Sequence, residues 1–447
     1  MKFGFVNKNN MALLTDLYEL TMAQAYLKDN MTKTAVFEFY IRPNKKRSFF
    51  LTAGLEQFLY YIENLKFLDE DLDFLKSLGF EDFFIDYLKN FKFTGNVYAM
   101  EEGQVAFPYE PIVQIEASLP EAQLIETFLI NTFQHPILVA TKAIRCYIAS
   151  EGEKVLVDFG LRRAHGTDAG MKAARSSFIG GFAGTSNVLA GKEYGIPVFG
   201  TMAHSFILAY KDEEKAFEAF AKMYPNNTIF LIDTFDSIEG VKKAIKVAKK
   251  LNLNNFKGVR IDSGDLIEMS KKVRKILDEN GFKEAKILAS GGINEYIIKE
   301  HIEKNAPIDG YGVGTELVVS ADVPYLDCAY KLVEYDHQPV MKFSSGKTTL
   351  PSKKQVFRFY DDKGKIGKDI IGLYNENLSQ EKLLKKVVEN GKICINYPSL
   401  KEIQTKAINN IKKLPSNLTK IGNEEIYIPE ISQRLEEIIK RLKAEER

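Results

Sequence analysis

Short apolar runs alternate with amphipathic segments through the middle of the chain. VLVDF (155–159), PVFGT (197–201), TIFLID (228–233), GVRID (258–262), KILAS (286–290) and DGYGVG (309–314) each have the length of a buried strand. Between them, SIEGVKKAIKVAKKL (237–251) and LIEMSKKVRKILDEN (266–280) repeat apolar residues at helical spacing with lysines on the other face. Strand and helix units at this spacing predict right-handed crossovers and a parallel sheet. Six such units, seven if KLVEY (331–335) is counted, favour a barrel or near-barrel over an open sheet.

The flanks follow other rhythms. Residues 13–28 predict a helix opening at Thr15 or Asp16, and AVFEFYIRP (35–43) alternates like a half-buried strand. A Phe- and Leu-rich helical region over 55–91 precedes short strands at GNVYAM (95–100) and PIVQIEA (111–117), so this third reads as α+β with antiparallel strands. From Pro120 a helical stripe (Leu124, Ile125, Phe128, Leu129, Phe133) runs to Pro136, which should interrupt it, with a second helix to Ser150. After Tyr335 the alternation stops. A Lys-rich tail mixes glycine turns and short strands with a closing charged helix, ISQRLEEIIKRLKAEER, and the basic 341–359 segment reads as a lid, a dimer contact or a surface loop.

Composition narrows the functional classes. At 447 residues the chain exceeds what one core supports, so two lobes or a barrel with an added domain are expected. Lys plus Arg (61) nearly cancels Asp plus Glu (60), so no global field recruits nucleic acid or anionic membrane, and any anion must be captured by local groups. Cys146, Cys328 and Cys394 are scattered and odd in number, which points to reduced thiols in a cytoplasm. No window reaches membrane-spanning length and the N-terminus lacks a signal-like apolar core, so a soluble cytoplasmic protein is expected.

In parallel barrels the chemistry sits at the carboxyl ends of the strands. Those positions hold Phe159, Gly160, Arg162 and Arg163; His204 and Ser205; Asp233 and Thr234; Arg260, Asp262, Ser263 and Asp265; Ser290, Gly291 and Gly292; and Gly312, Gly314 and Thr315. Glycine turns past late strands let backbone N–H groups approach a phosphate. In RIDSGD, Asp262 and Asp265 suit either a vicinal diol or the water shell of Mg²⁺, and Arg260 suits a diphosphate. The plainer reading of that turn is a helix cap, and the two readings are compatible. An aromatic ring stacked on Phe159 with a carboxylate held by Arg162 or Arg163 is the corresponding reading of the first strand end, where neighbouring residues should point opposite ways and only one arginine should face the ligand. A lone His204 at a strand-to-helix turn is more often structural than catalytic, and no paired histidine spacing marks a zinc site.

Taken in order, LLTDLYELTMA (13–23), FGLRRAHG (159–166), GGFAGTSNVLA (180–190), GTMAHSF (200–206), VRIDSGDL (259–266) and the SGGI and GVGT turns resemble the nicotinate phosphoribosyltransferases over residues 13 to about 360. Each motif alone is modest; the ordered set is specific. The resemblance implies a type II phosphoribosyltransferase fold: an incomplete TIM-like α/β barrel beside an α+β domain built from the N-terminal region and the C-terminal tail. The division expected is 1–135, 136–335 for the barrel, and 336–447 packing back on the first domain.

The implied reaction joins nicotinate to 5-phosphoribosyl 1-diphosphate (PRPP), gives nicotinate mononucleotide and diphosphate, and couples this to ATP hydrolysis in NAD biosynthesis, with Mg²⁺ accompanying PRPP and ATP. The resemblance then implies roles. Phe159 stacks the pyridine ring, Arg162 or Arg163 holds its carboxylate, and Tyr18 reaches the ring from the other subunit of a homodimer with a shared site. Arg260, Asp262, Ser263 and Asp265 take diphosphate, ribose and metal, the turns at Gly291, Gly292, Gly312, Gly314 and Thr315 take the 5′-phosphate, and His204 becomes a phosphohistidine. Nicotinamide phosphoribosyltransferase, which resembles this family closely, has an aspartate where Ser186 stands here; a serine tolerates a carboxylate substrate that an aspartate would repel. A non-enzymatic phosphosugar sensor is the competitor from another class. One departure from the family is Ser352, in TLPSKKQV, where many relatives carry glycine.

Overall fold

The computed structural model describes residues 6–253, 256–343, 349–379 and 381–445. Residues 344–348 of the basic 341–359 segment and the last two residues of the closing helix lie outside that set. The chain forms two compact units. One holds the residues up to Leu138, Tyr325–Lys420 and those from Glu424 on; the other holds Val139–Pro324 with Ile421–Asn423.

The second unit is built on six parallel strands: β1 (Val155–Asp158), β2 (Gly184–Thr185), β3 (Ile229–Leu231), β4 (Gly258–Ile261), β5 (Lys286–Ala289) and β6 (Gly310–Val313). Their order is β2-β1-β6-β5-β4-β3, and every pairing is parallel. Neighbours in space are therefore neighbours in sequence around a ring, with the break between β2 and β3, so the layer is barrel-like. PVFGT forms no strand. Val198 makes a single bridge to Thr185, and the strand beside β1 is Gly184–Thr185, whose two residues are too few to leave an alternating signature.

The helices between strands bury the faces their spacing marks. In Ser237–Lys250 the residues Val241, Ala244, Ile245 and Ala248 lie in the core, and in Leu266–Glu279 so do Val273 and Leu277. Each starts at a residue whose side-chain oxygen satisfies orphan N–H groups of the first turn: Asp236 for Ile238 and Glu239, Asp265 for Ile267 and Glu268, and Asn294 for Tyr296 and Ile297 at the head of Glu295–Glu303. These strand ends thus pass through a polar turn before the helix, which puts functional groups at one rim.

The other unit carries a seven-stranded antiparallel sheet in which Thr34–Ile41 lies between Cys328–Tyr335 and Val113–Ser118, and Asn96–Met100 between Val113–Ser118 and Leu384–Glu389. KLVEY accordingly belongs here and adds no seventh strand to the parallel layer; its strand pairs antiparallel with Thr34–Ile41 and buries Ala329, Tyr330 and Val333. Pro136 does not divide its helix, which runs unbroken from Glu126 to Ala149. Proline removes one N–H, and complete burial of Phe133, Ile137, Val139, Ala140 and Ile144 on both sides holds the helix together. Ser352 has φ = 68°, the left-handed region where glycine is at ease, which fits the expectation of a glycine at this position. Among the described residues, no helix is long and apolar enough to cross a membrane.

Candidate active site

The carboxyl ends of the parallel strands open on a cleft of about 930 Å³. Its first wall comes from the end of β1. Asp158 is fully buried; its Oδ1 accepts from the Gly160 N–H (2.8 Å) and its Oδ2 from the Thr185 hydroxyl (2.7 Å). Burial raises its pKa. This carboxylate ties the β1 turn to β2, and the Asp158 carbonyl accepts from Ser186 N (2.8 Å), so Phe159 and Ser186 are held side by side. Gly312 lies under Phe159: a Cβ there would stand 2.3 Å from the phenyl ring. The ring can lie flat over β6 only because that residue has no side chain.

Arg162 and Arg163 both line the cleft and both are exposed. They sit in a 3₁₀ turn, Leu161–Arg163, where the alternation of a strand end does not apply, so both side chains reach the same cleft.

The opposite wall is a connected polar set. Arg260 Nη1 donates to Ser290 Oγ (3.0 Å) and to Asp262 Oδ1 (3.2 Å), and its Nη2 donates to the Met202 carbonyl (2.6 Å). Ser290 also donates to Asp262 Oδ1. Burial lowers the pKa of Arg260; Asp262 and Asp233 oppose that shift and Arg162 adds to it. The Asp233 side chain is 3% exposed, and its Oδ2 accepts from Asp262 N (2.9 Å) and Ser263 Oγ (2.6 Å). Its Oδ1 finds no hydrogen-bond donor. His204 stands over this pair, with Nε2 3.8 Å from Asp262 Oδ2 and 3.9 Å from Asp233 Oδ1, while Nδ1 meets Thr234 Oγ1 at 3.1 Å.

The floor between the walls is glycine. Gly291 (φ = 90°) and Gly292 (φ = 66°) form the turn after β5, and at Gly291 a Cβ would lie 2.1 Å from the Asp262 carbonyl oxygen. Gly314 and Thr315 form the matching turn after β6. Such turns expose backbone N–H groups to an anion.

Twelve of the fifteen residues given a role from the sequence therefore converge on one cleft: Phe159, Arg162, Arg163, Ser186, His204, Arg260, Asp262, Gly291, Gly292, Gly312, Gly314 and Thr315. Three do not line it. Ser263 is turned to Asp233, Asp265 spends its Oδ1 on the cap of Leu266–Glu279, and Tyr18 lies in the other unit, exposed on helix Leu17–Lys28 beside Glu126, with burial and that carboxylate raising its pKa. Among the described residues, no group of three or more His, Cys, Asp or Glu is arranged to hold a metal ion. Mg²⁺ held against substrate phosphates needs only one or two carboxylates.

Models of known protein families match the chain from end to end: the nicotinate phosphoribosyltransferase (NAPRTase) N-terminal domain at residues 13–134, the NAPRTase family at 155–389 and the C-terminal domain at 373–439. The chain belongs to the nicotinate phosphoribosyltransferase family. Nicotinate phosphoribosyltransferase pncB2 of Mycobacterium tuberculosis is 46% identical over 97% of this chain and 94% of its own. The nicotinate phosphoribosyltransferase of Bacillus subtilis is 38% identical over 100% and 99%. The crystal structure of the human nicotinic acid phosphoribosyltransferase superposes with a TM-score of 0.84 at 27% identity, covering 96% of this chain and 100% of that one.

Four groups that line or brace the cleft had no role assigned from sequence: Ser290, which lines it, and Asp158, Asp233 and Thr234, which bond to groups at its walls. Their signal was position alone, since each ends or directly follows a strand-like apolar run. Charge type says nothing of which of two neighbouring aspartates faces a histidine; the fold decides that.

Proposed function

We propose that the chain transfers the phosphoribosyl group of PRPP to the ring nitrogen of nicotinate, in NAD biosynthesis. Membership of the family supports the reaction class. The observation that carries the reading is the placing of Phe159 and two arginines across one cleft from the Arg260–Asp262–His204 set, with two glycine turns between. A flat anionic ring fits the first wall, and a phosphorylated, diphosphate-bearing sugar fits the second.

In this reading Phe159 stacks the pyridine ring and Arg162 or Arg163 holds its carboxylate, with Ser186 beside it tolerating an acid where an aspartate would not. The turns at Gly291, Gly292, Gly314 and Thr315 take the 5′-phosphate, Arg260 the diphosphate and Asp262 the ribose. The nitrogen lone pair forms the bond to C1′ as the C1′–oxygen bond breaks, and the diphosphate leaves with that electron pair. Positioning and charge stabilisation do most of the work, because the pyridine nitrogen carries no proton to be removed.

Mg²⁺ would be held by Asp262 together with substrate oxygens, and would neutralise charge on the leaving diphosphate. The unpartnered Oδ1 of Asp233 fits the same hard cation, whereas Asp265 is engaged in its cap. For ATP coupling, Thr234 accepting from Nδ1–H leaves the Nε2 lone pair of His204 as nucleophile. The γ-phosphoryl passes to Nε2 as ADP departs, and water later hydrolyses the phosphohistidine.

The parallel layer reads as an incomplete TIM-like barrel open between β2 and β3, and the protein as a cytoplasmic homodimer in which Tyr18 serves the partner's site, with no nucleic acid or membrane partner. Diphosphate release from PRPP tests the reading: it should require nicotinate and yield one nicotinate mononucleotide per diphosphate. PRPP binding without release would leave the sensor reading instead.

A further inference from the structure

We propose that the cluster of buried Lys142, Arg145 and Glu295 with half-buried Asp322 is a positioning support for the phosphate cradle, setting the shape of both glycine turns for the phosphoribosyl donor. The inference rests on the phosphoribosyl-transfer reading. Its starting point is a physical gap: Gly291 and Gly292 have no side chains to anchor them at φ of 90° and 66°, and while Gly291 abuts the Asp262 carbonyl, Gly292 has nothing packed over it. The groups that hold this turn must therefore stand on the chain just beyond it.

Three residues on from Gly292 is Glu295, the first residue of its helix and completely buried. Lys142 Nζ lies 2.7 Å from Glu295 Oε2 and 2.7 Å from Asp322 Oδ1, with its side chain wholly out of solvent. Arg145 Nε donates to Glu295 Oε1 at 3.0 Å and its Nη2 to the Tyr296 hydroxyl at 3.2 Å, which in turn donates to Asp322 Oδ2 at 3.3 Å. Asp322 closes the segment that begins with the second turn, Gly314–Thr315, and Asn294 Nδ2 reaches Glu316 Oε2 at 3.4 Å across the two. Both turns thus lead within a few residues into carboxylates clamped by one lysine. Two cations match two carboxylates, and none of the four side chains lines the cleft.

Stability alone is a poor reason for such a cluster. Desolvating four charges is costly, and apolar residues of similar volume commonly replace a buried ion pair without loss. Directional, multiply bonded charges instead fix one register of the turns, which an apolar patch would leave soft.

The test uses Glu295→Gln, Asp322→Asn and the apolar double variant Lys142→Met/Glu295→Leu in the full chain, with KM for PRPP and for nicotinate, the thermal midpoint, and ribose 5-phosphate binding by calorimetry. The single variants should raise KM for PRPP about tenfold and weaken ribose 5-phosphate equally, with nicotinate KM within about twofold of wild type. The double variant should recover the thermal midpoint and keep the raised KM. Both KM values rising together, or a double variant with wild-type KM, would overturn the proposal. Ribose 5-phosphate binding needs no turnover, so failure of the wild type to use nicotinate strikes the functional reading alone. Should Glu295→Gln not fold, Asp322→Asn and the double variant decide.

Discussion

Nε2 of His204 stands 3.8 Å from Oδ2 of Asp262, which is itself bonded through Oδ1 to Arg260 and Ser290. A histidine tied on its far side to Thr234 and facing two carboxylates is placed so that a phosphoryl group on it would be felt by the aspartate here proposed to face the sugar. Under that proposal, coupling between ATP and transfer would need no long route. His204→Ala should abolish ATP stimulation and leave slow, ATP-independent transfer. Initial rates at fixed PRPP with and without ATP check this, and ATP stimulation persisting in the variant would remove the histidine from the coupling.

The two aspartates of RIDSGD should separate cleanly. Asp262→Asn removes a charge from the cleft and should lower kcat/KM by about 10²-fold or more. Asp265→Ala removes a helix cap and should cost about 1 kcal/mol of stability with kcat/KM within a few-fold of wild type. Paired thermal melts and steady-state kinetics give both readouts. A hundredfold loss in the Asp265 variant would return it to the chemistry.

The same pair shows what sequence makes legible. RIDSGD announces both a site and a cap, because carboxylates serve either purpose; only the direction of each side chain assigns Asp262 to the cleft and Asp265 to Leu266–Glu279. Strands of four residues with β-branched cores, such as Gly258–Ile261, are visible as apolar runs, whereas Gly184–Thr185 is not, having no apolar side chain to count. Pro136 misleads because the rule for proline is local, while the burial that keeps Glu126–Ala149 whole is tertiary. The placing of the arginine pair is hidden for a related reason: alternation holds for a strand, and the chain has already turned into a 3₁₀ coil at Leu161, so both reach the cleft.

Gly312→Ala is a probe of ring recognition from beneath. Its methyl would intrude on the Phe159 ring, which must shift into the space assigned to the pyridine. Nicotinate KM should rise about tenfold or more while the midpoint falls by less than a core-breaking change would cause. Unchanged nicotinate KM would show that Phe159 does not support the ring.

A separate pH effect should arise in the other unit. Glu19 is fully buried, accepts from Thr15 and Thr127, and burial raises its pKa from the usual 4.5 to about 7. Its native form prefers the proton. The stability this contributes is complete below about pH 4.5 and is lost as pH rises towards 7, because the unfolded carboxyl ionises first. Glu19→Gln should flatten that part of the stability curve and, above pH 7, match or exceed wild type by on the order of 1–3 kcal/mol. Urea melts at pH 5, 6, 7 and 8 measure it. Identical slopes for the two proteins would contradict the assignment.

The central claim is the identity of the acceptor. Purified protein given PRPP, Mg²⁺ and ATP should be offered nicotinate, nicotinamide or quinolinate one at a time, with nucleotide, diphosphate and ADP quantified by chromatography. Nicotinate should give nicotinate mononucleotide and diphosphate in equal amounts with ADP formed alongside, and the other two should turn over at least tenfold more slowly. Nicotinamide turned over as fast as nicotinate, or no nucleotide from any of the three, would contradict that claim.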